Sequence, residues 1–138
     1  MEVIKGLELE NSLKKNSLVL SIANGNSMFP FIKNGTKILL SKPKDIKMFD
    51  VVLFKKDNHY ILHRVIGINN DGYIIMGDNS LNNEYVRKDC ILGLLIAYYK
   101  GDRYIEINDD INLKYYKISR KLKPIIKIKK SIKLLLKN

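Results

Sequence analysis

The sequence has a single cysteine, Cys90, so no internal disulfide framework holds it together. No cluster of cysteine and histidine has the spacing of a metal site, and no cofactor is expected. It also lacks any run of about 18 apolar residues, which excludes a transmembrane helix. Residues 1–16 contain Glu2, Glu8 and Glu10 and no continuous apolar stretch, unlike a secretory signal. These absences point to a cytoplasmic protein, with or without peripheral membrane contact. There is no internal repeat. What remains is enough for one domain with a core of its own: 138 residues, 46% hydrophobic and 28% charged.

Acidic residues are also missing from one end. Residues 111–138 carry ten Lys/Arg and no Asp or Glu, so most of the net charge of +11 belongs to them. The preceding 110 residues are close to neutral, with 15 basic side chains against 14 acidic ones.

Three segments follow from the patterning. Residues 2–15 predict a short N-terminal helix interrupted by Gly6. From about Ser17 to Ile107 the chain is a series of short β-rich runs: Ser17–Ile22, Lys37–Ser41, Val51–Lys55, Tyr60–Ile68, Tyr73–Met76 and Ile91–Tyr99. Asn69-Asn70-Asp71-Gly72 between two of these predicts a hairpin, with Asp-Gly supplying positive φ. Short strands without long helices between them indicate a mainly β, antiparallel domain over 1–110. After it, 111–138 reads as a basic amphipathic helical tail. Ile125, Ile128, Ile132, Leu135 and Leu136 share an arc of about 100° on a helical wheel, and Pro124 is expected to divide the tail in two.

Three short stretches carry possible chemistry. In Gly25-Asn26-Ser27-Met28-Phe29-Pro30 a serine stands on a turn stiffened by Pro30, which suits a nucleophile held in attack geometry. A turn serine bonding its own backbone is the plainer explanation. His63 lies in the apolar strand Tyr60–Ile66, either as a satisfied core histidine or as a general base; the other histidine, His59, sits in a turn. Gly77-Asp78-Asn79, followed by Glu84, offers two carboxylates that could orient His63.

In this order the pieces resemble the signal peptidase superfamily, which includes the LexA-type self-cleaving repressors. Ser27-Met28-Phe29-Pro30 resembles the nucleophile box. Phe49-Asp50-Val51-Val52 resembles a Gly-Asp-Val-Val strand with Phe49 in place of glycine. His63-Arg64-Val65-Ile66 matches the box where most bacterial enzymes carry a lysine, and Gly77-Asp78-Asn79 the Gly-Asp-Asn box. The resemblance implies a signal-peptidase/LexA-like β fold and serine endopeptidase activity on a leader or signal-type peptide bound as an extended strand. Histidine in place of lysine resembles the endoplasmic-reticulum and archaeal branch with its Ser-His-acid triad. It assigns the nucleophile to Ser27, the base to His63 and the orienting acid to Glu84, with Asp78 the alternative. Asn26, Met28 and Pro30 would serve oxyanion and substrate contacts. A small hydroxyl residue that membrane-bound relatives place two before the nucleophile is Gly25 here. The competing reading is a binding module that keeps the fold with a weak or dead site.

For residues 111–138 three roles stand open: an anionic membrane surface, packing on the domain, or nucleic acid. The regular apolar spacing and the scarcity of arginine speak against nucleic acid.

Overall fold

The computed structural model describes residues 2–3 and 6–137, with side chains from residue 9 on. Nine strands among the described residues form one antiparallel sheet: β1 (Glu2–Val3), β2 (Leu18–Asn24), β3 (Lys37–Ser41), β4 (Val51–Lys56), β5 (His59–Ile68), β6 (Gly72–Met76), β7 (Asn83–Arg87), β8 (Ile91–Lys100) and β9 (Arg103–Glu106). Their order is β1-β2-β3-β8-β4-β5-β6-β7, with β9 on β8. β1 also meets β5 at Glu2↔Ile61, which closes β1-β2-β3-β8-β4-β5 into a ring. Helix α1 (Gly6–Lys15) and the long α2 (Asp109–Leu136) complete the chain. The mainly β fold is the one the sequence indicates.

β4 shows why the fold buries both faces of its central strands. Val51 and Leu53 join one core with Leu9, Met28, Ile32, Leu40 and Leu62; Val52 and Phe54 join another with Val65, Ile75 and Val86. An unbroken Val-Val-Leu-Phe run is the pattern such a strand needs. α1 docks through Leu9 and Leu13, one turn apart and both buried. The Tyr60 hydroxyl donates to Glu10 at 2.7 Å and ties the same helix to β5.

Three expectations are corrected. Glu2–Val3 is a strand, not the start of a helix: it pairs with Ala23 and Asn24, and α1 begins only at Gly6. The Asn69–Gly72 hairpin forms, but Gly72 does not take positive φ. Asn69 Oδ1 instead accepts the N–H groups of Asp71 (3.0 Å) and Gly72 (2.9 Å), an Asx turn. Glycine is required at 72 because a Cβ there would stand 3.0 Å from Arg87 Cα on the neighbouring β7. Finally, α2 runs unbroken through Pro124. Proline removes one i→i−4 bond, and helical structure continues on both sides of it.

α2 starts firmly: Asn108 caps it by accepting from Ile111 N–H at 2.8 Å, and Asp109 and Asp110 complement its N-terminal dipole. Its first half packs on the sheet, burying Asn112 and Ser119 and placing Tyr115 4.6 Å from the ring of Phe31.

Candidate active site

Ser27 stands on the turn that follows β2. Gly25 takes a φ of 98°, and its N–H donates to Asn34 Oδ1 at 2.8 Å. Met28, next to the serine, is fully buried, so the turn is anchored in the core from its far side. The Gly77–Asn79 loop, which follows β6, holds the near side. Asn79 N–H donates to the Ser27 carbonyl (2.8 Å) and Asn79 Nδ2 to the Asn26 carbonyl (3.0 Å). Gly77 lies so close that a Cβ there would come within 2.7 Å of the Ser27 carbonyl and 2.9 Å of His63 Nε2. Only glycine fits.

His63 projects from β5 and is buried, with Nε2 3.2 Å from Ser27 Oγ. Its Nδ1 lies 3.7 Å from Glu84 Oε1 on β7, an ion-pair distance longer than a hydrogen bond. With the ring proton on Nδ1, facing Glu84, Nε2 accepts from the Ser27 hydroxyl. Burial above all, with positive charges that include Lys123 and Lys56 adding to it, pushes the imidazole pKa down to about 3, so the ring is neutral at physiological pH. Glu84 also receives Lys56 Nζ at 2.9 Å. Hydroxyl, imidazole and carboxylate thus stand in series, the arrangement that lets a base draw a proton from a nucleophile.

Not every expected site residue joins them. Asp78 faces away from His63, and its two oxygens accept from Arg64 Nε and Nη2, each at 2.8 Å. Arg64 is fully buried, because alternation along β5 sends it to the face opposite His63. Its Nη1 reaches the Phe49 carbonyl (2.8 Å) and Asn112 Oδ1 (3.0 Å). Asp78 is therefore half of a satisfied internal ion pair and is not placed to orient the base. Met28 is core and cannot touch a substrate from where it lies; its sulfur accepts from Asp78 N–H at 3.4 Å. Asn26 is exposed beside Ser27, and Pro30 is half-buried in the same turn.

Phe49, at the expected glycine position, takes a φ of 74°. That conformation costs a non-glycine residue about 1 kcal/mol, and stacking on Tyr116 (centroids 4.3 Å apart) offsets it.

Lys123 was not visible as a site residue. From α2 it donates through Nζ to the carbonyls of Gly77 (2.9 Å), Asp78 (3.0 Å) and Ser80 (2.6 Å). Burial lowers its pKa. Its side chain pins the loop that backs the Ser27–His63 pair, and no local motif announces it, since the two segments are more than forty residues apart.

Residues 3–95 match the protein family described as Peptidase S24-like. Among curated proteins nothing matches the chain.

Proposed function

The chain belongs to the Peptidase S24-like family, and from that premise we propose a serine endopeptidase of the signal-peptidase type, cutting a leader or signal-type peptide by a Ser-His-acid mechanism. The observation that carries this reading is the 3.2 Å contact between Ser27 Oγ and a buried, neutral His63 with Glu84 behind it.

Ser27 Oγ attacks the scissile carbonyl while His63 Nε2 takes the hydroxyl proton. The imidazolium so formed passes that proton to the departing amine, which leaves an acyl-Ser27 ester. Water then attacks the ester, His63 again accepts the proton, and the acid is released with Ser27 restored. Glu84 holds the Nδ1–H and stabilises the imidazolium. A buried imidazole whose pKa is pushed down to about 3 is a weak base. Substrate must therefore exclude water and draw the Nδ1–Glu84 contact in to hydrogen-bond length, raising the basicity of His63 as the serine proton moves. The peptide is taken as an extended strand whose scissile carbonyl lies against Ser27 Oγ, the mode in which backbone hydrogen bonds supply affinity.

The test is cleavage of a mixture of extended peptides rich in small side chains, with products read by mass spectrometry. Wild-type protein is expected to yield discrete fragments that disappear in Ser27→Ala and His63→Ala. Fragments that persist in Ser27→Ala, or none from folded wild-type protein, would favour the binding module.

A further inference from the structure

α2 changes character along its length. Up to Ile126 it keeps side chains against the domain, with Asn112 and Ser119 buried and Lys123 and Ile126 half-buried. From residue 127 to residue 137 every side chain is exposed. Ile125, Ile128, Ile132, Leu135 and Leu136 fall on one side of this stretch and are between 49% and 81% exposed. Lys127, Lys130, Lys133 and Lys137 occupy most of the remaining arc, which also holds the exposed Leu134; Lys129 sits at the margin, and there is no acidic residue anywhere after Asp110.

We propose that residues 125–136 of α2 lie in the surface of an anionic lipid bilayer, with the isoleucine and leucine arc among the acyl chains and the lysines on the headgroups. The charge pattern selects this occupant. A second copy of the same helix would bring lysines against lysines. A nucleic acid would engage the lysines but leave five large apolar side chains in water. An anionic bilayer satisfies both faces at once, and lysine stems are long enough to follow the interface while their ammonium groups stay wet. No helix among the described residues is long and apolar enough to cross a membrane, so the helix lies on the surface. Twelve helical residues span about 18 Å, and Lys123, just before them, touches the loop beside Ser27 and His63. The foot therefore brings that site close to the headgroups. If the proposed peptidase reading holds, its substrates are peptides with the scissile bond at a membrane surface; the lipid contact itself does not depend on that reading.

The experiment is vesicle co-sedimentation with full-length Ser27→Ala protein, so that catalysis plays no part and a failed peptide assay leaves this result intact. The protein is expected to sediment with phosphatidylcholine–phosphatidylglycerol vesicles at low salt, to be released at high salt, and to ignore pure phosphatidylcholine. Ile128→Glu combined with Ile132→Glu should abolish binding. Each of Lys127→Gln, Lys130→Gln and Lys133→Gln should weaken it about fivefold. All these side chains are exposed, so thermal midpoints should stay at the wild-type value. Absence of sedimentation, retention by the double glutamate variant, or an oligonucleotide bound more tightly than vesicles would each overturn the proposal.

Discussion

At the scale of single residues, His63 is held neutral by burial and by two nearby lysines, and neutral is the form that can accept the Ser27 proton. In the proposed mechanism, protonation would switch it off. Because the environment disfavours the cation, the acid limb of kcat/KM should fall below pH 6.5, the ordinary histidine value, and a pH–rate profile reads this directly. A limb at or above that value would mean that His63 is not the group titrating. Gly77 supports the same pair by leaving room for it. Gly77→Ala must push either the Ser27 carbonyl or the imidazole aside, and a displacement of about 1 Å is worth roughly 100-fold in kcat. Circular dichroism should show the fold retained. Ser27 and His63 were legible as a candidate pair because short boxes in a fixed order frame them, and the structure brings the two together at 3.2 Å. The residues alone left Glu84 and Asp78 both open and only the resemblance preferred Glu84, since both follow the same strand and their distance from His63 is set by the fold. Glu84 stands 3.7 Å from its Nδ1, while Asp78 is taken up by Arg64.

Elements tell a similar story. Strands with dense apolar residues, such as Lys37–Ser41 and β4, are evident from the sequence, because short apolar runs between turn residues mark a buried strand. Glu2–Val3, β7 and β9 left none. Asn83-Glu84-Tyr85-Val86-Arg87 buries only Val86, and the strand exists because β6 offers it a partner edge, which is tertiary context. α2 was visible as a helix from its apolar arc, yet its docking on the site was not. Lys123 makes that docking measurable. Lys123→Met removes a positive charge that depresses His63, so the histidine pKa should rise, visible as an upward shift of its imidazole proton resonance titration. It also strips three loop carbonyls of their donor, and unfolding should become easier by about 1–3 kcal/mol in urea. An unchanged His63 titration would separate α2 from the site.

Across the whole molecule, two buried systems share β5. One face carries Arg64, whose guanidinium joins Asp78, Phe49 and Asn112 and so links the ring of strands, the loop after β6 and α2. Asp78→Ala leaves that guanidinium buried with one pair of acceptors gone, and a loss of about 3–5 kcal/mol in stability is expected from urea unfolding. The other face carries His63 and, through it, Ser27 and Glu84. The most direct test of that second system is labelling by a serine-reactive acylating probe, followed by intact mass, on wild type, Ser27→Ala, His63→Ala and Glu84→Ala. One adduct on wild type, absent from Ser27→Ala, strongly reduced in His63→Ala and slowed in Glu84→Ala, is the expected result. A folded wild-type protein that takes no label, or a label that survives Ser27→Ala, would contradict a working Ser27–His63 pair.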